Sequence, residues 1–215
     1  MTLPTARLSR RGLAGAVALL PAGCASLLGL PPAPRLYRLS PSKNFPANLP
    51  PLSTQILVDV PLAPAGLDSR GIALTLSAIS IDYFAASEWT DRVPFLVQTA
   101  LLESFGNSAA ITAIERESVG LRTDFVLKTE IRHFEAVYDL PNAAPEVWVS
   151  ILARLVDPAG RTILAHASFE RRQRAAANDI PQIVLAFNEA AGSVMGEIVV
   201  WTVRNPALTP RRRSL

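Results

Sequence analysis

The sequence predicts an α/β fold: a single domain with a mixed, mostly antiparallel sheet and two main amphipathic helices packed on it, preceded by a signal peptide and a Pro-rich tether. Three observations predict this. Apolar residues alternate with period two in segments such as Gln55–Pro61, Glu146–Val156 and Arg161–Arg171. Two longer segments carry apolar residues at the three-and-four spacing of a helix face. The longest apolar, charge-free run sits at the extreme N-terminus, ahead of a cluster of prolines.

The elements follow in order. Arg7, Arg10 and Arg11 precede the apolar run Gly12–Leu20, and the small residues Ala22 and Gly23 follow it. This positive, apolar, small-residue order is that of a secretory signal peptide over residues 1–23, too short for a membrane span. Ser9-Arg10-Arg11 has the start of a twin-arginine signal, but the residues that should follow it are Leu13-Ala14, and an ordinary basic leader is the simpler reading. Leu20-Pro21-Ala22-Gly23-Cys24-Ala25 has the form of a bacterial lipobox, with Pro21 standing where a Leu is usual. Cys24 is the chain's single Cys, placed where the apolar run meets the prolines, and is expected to become the acylated mature N-terminus, carrying palmitate-type chains. Residues 24–52 contain Pro31, Pro32, Pro34, Pro41, Pro46, Pro50 and Pro51 and read as an extended tether. Within it Leu36–Leu39 is a short edge-strand candidate.

The domain is expected over residues 53–204. Gly71–Ser77 and Ala78–Phe84 form a hairpin. Thr90 or Asp91 caps a helix through Ser104, with Pro94 in its first turn and Val93, Leu96, Val97, Ala100, Leu101 and Phe105 on its apolar face. Ala109–Glu115 is a further strand. Asp124–Glu135, Glu146–Val156 and Arg161–Arg171 form an antiparallel meander, the last two joined by the tight turn Asp157-Pro158-Ala159-Gly160. Asp179 caps a closing helix to Thr202, on which Val184, Phe187, Ala191, Val194, Ile198 and Trp201 make the buried stripe. Residues 205–215, with Arg211, Arg212 and Arg213, read as a basic flexible tail. No internal repeat is visible.

Charge excludes one class of partner. The chain has 21 Lys and Arg against 18 Asp and Glu, but the leader holds three Arg and no acid. Its removal leaves 18 against 18, and the pI of 9.5 is a property of the precursor alone. Nucleic-acid binding loses its electrostatic basis.

Motifs that carry chemistry are nearly absent from the sequence. There is no Gly-x-Ser-x-Gly elbow, phosphate loop, dinucleotide fingerprint or His-Glu-x-x-His. One Cys and two His argue against a metal site, and no catalytic, metal or cofactor residues are assigned. His133 shares parity with Phe125, Leu127 and Ile131, so it is expected to be a satisfied core or interface His. His166 lies on a neighbouring strand. Asp82, Glu88 and Asp91 gather near Trp89, which is expected to be structural. Exposed residues near the tether and hairpin, Tyr37, Asp68 and Arg70, are the docking candidates, although Asp68 and Arg70 also suit a plain polar turn.

Several stretches together carry a resemblance. Cys24 and the tether lead to Leu36-Tyr37-Arg38-Leu39, then Val58-Asp59-Val60-Pro61 and Gly66-Leu67-Asp68-Ser69-Arg70-Gly71-Ile72. Tyr83 precedes Glu88-Trp89-Thr90-Asp91. Asp124-Phe125-Val126-Leu127 runs on to Ile131-Arg132-His133-Phe134-Glu135. Ala153-Arg154-Leu155-Val156-Asp157-Pro158-Ala159-Gly160-Arg161 leads to Leu164-Ala165, and Phe187-Asn188-Glu189-Ala190 lies on the final helix. In order and spacing the chain resembles the ABC-type transport auxiliary lipoproteins, the PqiC-like components of MCE-type lipid transport systems.

The resemblance implies an α/β domain with a mixed sheet, exposed to the periplasm on a lipid anchor. It implies a non-catalytic role in moving lipid between the two membranes. The implied partners are an MCE-domain protein, ABC transporter components and the membrane itself, with phospholipid as cargo class; a homo-oligomer is compatible with it. Ala25, not Asp, follows the Cys, which points to the outer membrane. The alternatives are a structural envelope-assembly lipoprotein, such as a pilotin or an outer-membrane protein chaperone, and a lipid-anchored hydrolase.

Overall fold

The computed structural model describes residues 33–116, 123–140 and 142–208; Cys24 lies outside them. Among the described residues eight strands form one mixed sheet: β1 (Arg35–Tyr37), β2 (Leu52–Val58), β3 (Gly71–Ser77), β4 (Ser80–Trp89), β5 (Ile111–Glu115), β6 (Phe125–Val137), β7 (Glu146–Asp157) and β8 (Thr162–Arg174). Two helices complete it, α1 (Val93–Ser108) and α2 (Ile180–Val203).

The meander β6–β7–β8 is antiparallel along nearly its whole length and forms the backbone of the sheet. The other edge of β6 is shared. β2 pairs with its first residues and β3 with its last, both parallel, and Leu62 bridges Glu130 between them. The excursion Ala63–Arg70 thus interrupts what is nearly one long strand alongside β6. The sheet forks there: β5 extends β2 on one branch, and β4 and β1 extend β3 on the other. Four of the seven pairings are parallel, while the longest ladders are antiparallel. The parallel pairs join residues distant in sequence, a relation that local alternation does not carry.

The helices cover one face. α2 packs on β7 and β8, and α1 packs on α2 and β5. Val147, Val149, Ile151, Ala153 and Leu155 of β7 point into this layer and are fully buried, as are Phe187, Ala191, Val194 and Ile198 of α2. Alternation of side chains across a strand and the three-and-four stripe of a helix meet here. Among the described residues α2 alone is long and apolar enough to cross a membrane, but it is mostly buried and is the core helix. Gln98 of α1 is buried and donates to the Val58 carbonyl at 2.9 Å, tying α1 to β2.

Ends and boundaries follow local chemistry. The Asp179 side chain accepts from Gln182 N at 3.0 Å and caps α2 as expected, with Pro181 in the first turn. α1 differs from expectation: its N-cap is Arg92, which offers no side-chain cap, and the Val93 amide donates instead to the Ser69 carbonyl at 3.0 Å. Asp91 accepts from the Arg92 amide at 2.7 Å, one residue too early to cap. The β7–β8 turn is closed by Asp157, which accepts from Ala159 N and Gly160 N. β4 runs five residues further than the expected hairpin strand, to Trp89, because a bulge with Ala86 at φ 51° absorbs the register change.

Two boundaries are corrected. The Pro-rich stretch is expected to be an extended tether up to Leu52 with a short edge strand at Leu36–Leu39; its described part is strapped to the body from Arg35 onward. Leu39, Phe45 and Leu49 pack against the core. Ser42 N donates to Ser104 Oγ at 2.8 Å, Asn107 donates to the Ser42 carbonyl at 2.9 Å, and Ser40 N donates to Asn188 Oδ1 at 2.6 Å. Gly196 makes room for the strap, since a Cβ there would stand 2.8 Å from Ser42 Oγ. Apolar residues interleaved with the prolines outweigh the proline content. At the other end the body continues past Arg204: Pro206–Leu208 form a 3-10 turn, and Leu208 is fully buried. Residues 209–215, with the three Arg, lie outside the described residues.

Candidate functional site: the open face and the hairpin corner

The face of the sheet away from the helices carries the polar chemistry. A bulge between Ile131 and His133 sets its composition. One extra residue reverses the alternation, so Phe134 and Ala136 take over the core positions and His133 joins Ser150 in the ladder on the open face. Of the two places expected for His133, core or interface, the bulge rules out the core that parity with Ile131 suggested; its side chain is about one third exposed.

On this face Trp148 lies in a sandwich. The His133 ring stacks on one side, with centroids 3.3 Å apart and planes 10° apart. The Arg172 guanidinium covers the other side at 3.9 Å, a cation–π contact. Arg172 is held by Glu146 at 3.3 Å and Glu170 at 3.7 Å. Glu135, mostly buried, receives the Phe134 amide at 2.6 Å and pairs with His133 Nδ1 at 2.7 Å. Further along, Glu130 accepts from Arg154 at 2.8 Å, which with Arg132 at 3.6 Å holds its carboxyl below the ordinary range; the Arg154 hydrogen bond is the main cause.

A groove of about 690 Å³ lies between this stack and the β3–β4 hairpin. Its floor includes Arg132, His133, Trp148 and Arg172; its wall is apolar, from Leu76, Ile79 and Ile81. Trp and Arg held in a rigid stack are the residue types that dominate protein interfaces. His133 and Glu135 make a His–carboxylate pair, and Ser150 stands opposite His133 in the ladder, the residue types of a hydrolytic triad. The imidazole lies flat on Trp148, its hydrogen-bond partner is Glu135, and no hydrogen bond joins it to Ser150 among the described residues. His166 lies opposite Arg154 on β8, apart from this pair. Among the described residues no three His, Cys, Asp or Glu side chains come together as a metal site.

The three docking candidates meet at the far end of the hairpin. Tyr37 pairs with Trp89 in the β1–β4 ladder, and its carbonyl accepts from Thr90 N at 2.8 Å. Arg70 donates to the Thr90 carbonyl at 2.9 Å and lies 3.9 Å from Glu88. Asp68 takes a two-pronged ion pair from Arg92, one contact at 2.9 Å to Nε and a second from NH2. Asp68 and Arg70 therefore brace the β4–α1 junction while remaining partly exposed. Asp82, Glu88 and Asp91 do not act as one cluster. Glu88 faces Arg70, Asp91 binds the next amide, and Asp82 pairs with Leu74 in the β3–β4 ladder.

Sequence reasoning passed over Trp148 and Arg172. The available signal was parity: Trp148 sits between core-facing Val147 and Val149, so it must face the other way. Its partner across the ladder, Arg172, depends on a register that alternation alone leaves open.

Residues 37–199 match the family model described as the ABC-type transport auxiliary lipoprotein component. An uncharacterized protein of Bradyrhizobium diazoefficiens is 28% identical over 175 residues, covering 81% of this chain. The chain spans about half the length of that relative, 46%. Among solved structures, a protein of Xanthomonas campestris superposes with a TM-score of 0.73 at 22% identity, over 79% of this chain and 94% of its own. A second crystal structure, of an uncharacterized protein, gives 0.59 at 15% identity, over 78% and 97%. Both share the fold.

Proposed function

The chain belongs to the ABC-type transport auxiliary lipoprotein components, and from that premise we propose that it is the lipid-anchored accessory of an MCE-type lipid transporter, acting by docking and binding and not by catalysis. The observation that carries this reading is the family match from Tyr37 to Val199, which spans nearly all of the folded body. The proposed anchor is Cys24, in the periplasmic leaflet of the outer membrane. The proposed partners are an MCE-domain protein and the ABC transporter components, with phospholipid as the transported class.

Physical chemistry supports such a division of labour. A phospholipid exposes its acyl chains to water when it leaves a bilayer, so transport across the periplasm needs a shielded conduit and a docking point at the far membrane. Tethering the docking module to that membrane raises its effective concentration there without any added contact. Two or more acyl chains hold such a tether stably, at about 0.8 kcal/mol per buried CH₂. The docking residues we propose are Tyr37, Asp68 and Arg70, gathered where the strap, the Ala63–Arg70 excursion and α1 converge.

Deletion of the gene tests the proposal. The deletion strain is expected to share the detergent sensitivity and altered outer-membrane lipid asymmetry of a strain lacking the partner transporter. A phenotype matching loss of a secretin, or of an outer-membrane barrel, would assign the chain to envelope assembly instead.

A further inference from the structure

The tip of the β3–β4 hairpin is built against local preference. Ala78 and Ile79 are its two turn residues, and the Ser77 and Ser80 hydroxyls close it at 2.8 Å. Two-residue hairpin loops favour turns with positive φ, for which Gly, Asn and Asp are the usual residues. Neither Ala78 nor Ile79 has a positive φ. A β-branched apolar side chain, Ile79, stands there 97% exposed, with Leu76 at 54% and Ile81 at 40% behind it. No charged residue interrupts the chain from Gly71 to Ile81. Three exposed apolar side chains gathered on one hairpin, unlike a lone one, form a patch of the kind that marks a contact surface.

Strand direction says what that surface meets. β1 runs parallel to β4, with Arg35 beside Ser87, so β1 leads away from the hairpin tip from Arg35 onward. Ser87 lies about eight residues along β4 from Ile79, roughly 27 Å at the strand rise. About 11 residues separate Cys24 from Arg35, enough chain to span up to about 40 Å. An acylated Cys24 can therefore reach the level of Ile79.

We propose that the tip formed by Leu76, Ile79 and Ile81 inserts into the interfacial layer of the phospholipid bilayer that holds the anchor. The inference rests on acylation of Cys24. Insertion supplies a second membrane contact, and it orients the domain: the Tyr37, Asp68 and Arg70 corner, at the other end of β4, then points away from the membrane toward a partner.

The acylated protein carries no free thiol on this reading, so a nitroxide can be placed by Ile79→Cys alone. Ile163→Cys is the control, an exposed isoleucine (57%) at the opposite end of β6–β8. Each labelled protein is reconstituted on vesicles of phosphatidylethanolamine and phosphatidylglycerol. Flotation is measured, with collision of the label with oxygen and with a water-soluble nickel chelate. The label at 79 is expected to gain oxygen access and lose nickel access several-fold on vesicles, while the label at 163 stays water-like. Floating protein whose label at 79 remains water-like overturns the insertion and leaves the anchor standing. A label shielded from both reagents overturns it too, in favour of a second copy covering the tip. A protein that does not float removes the anchor and the insertion with it.

Discussion

Truncation of Trp89 to Ala is expected to lower the unfolding free energy by about 3–5 kcal/mol, the range for removing a large buried aromatic. Trp89 is fully buried at the point where β4 ends and α1 begins. Its ring meets Phe187 of α2 edge-on at 5.3 Å and Phe134 of β6 at 6.0 Å, so one side chain joins the hairpin, the meander and the closing helix. Such edge-to-face pairs add about 0.5–1.5 kcal/mol beyond area burial. The indole Nε1 is buried and finds no hydrogen-bond partner among the described residues. Trp89→Phe is therefore expected to cost less than Trp89→Ala, since it retains most of the apolar contact and removes an unpaired donor. Denaturant titration of the two variants decides this. Equal midpoints for wild type and Trp89→Ala would contradict the structural role.

Replacing Cys24 by Ser is expected to have the largest effect on the protein's location. Without the thiol no thioether-linked diacylglycerol forms, and a single weak contact at the hairpin tip cannot hold a domain stably on a membrane. The wild-type chain should incorporate labelled palmitate in cells and fractionate with the outer membrane. Cys24→Ser should incorporate none, and the chain freed of its leader should be recovered in the soluble periplasmic fraction. Persistent membrane association of leader-free Cys24→Ser would show that something other than acylation anchors it.

The parts of the fold that were legible in sequence are those in which one element's own pattern determines its environment. Val147, Val149, Ile151, Ala153 and Leu155 recur with period two, and all five are buried against the helix layer. Asp179 and Pro181 announce the start of α2, and its stripe carries through to the core. Legibility failed where the outcome depends on a partner. Parity placed His133 with Ile131, but the bulge between them follows from pairing with β7, and it carried His133 to the opposite face. Proline content suggested an extended tether through Leu52, yet Leu39, Phe45 and Leu49 pack on the core, with Gly196 and Asn188 of the last helix receiving the strap. The cap of α1 failed for a similar reason: a backbone carbonyl, Ser69 O, does what a side chain at Thr90 or Asp91 was expected to do.

The candidate site shows the same division. Tyr37, Asp68 and Arg70 are far apart in sequence terms from Trp89, but the β1–β4 and β3–β4 ladders gather them at one corner. Their proximity to the tether and hairpin was legible. The ion pair from Arg92 to Asp68 and the Arg70 bonds to the Trp89–Thr90 carbonyls were not, because they depend on how α1 leaves the sheet. Asp68 and Arg70 are thus braced before any partner arrives, which reduces the side-chain entropy that docking would otherwise remove.

The most direct measurement of the central claim is recovery of the tagged, acylated protein from gently solubilised envelopes, after in-cell cross-linking, with its partners identified by mass spectrometry. Wild-type protein is expected to bring down an MCE-domain protein and ABC transporter components. The triple variant Tyr37→Ala, Asp68→Ala, Arg70→Ala, checked for an unchanged fold, should lose them while still fractionating with the outer membrane. Recovery of a secretin or an outer-membrane barrel in their place would contradict the account.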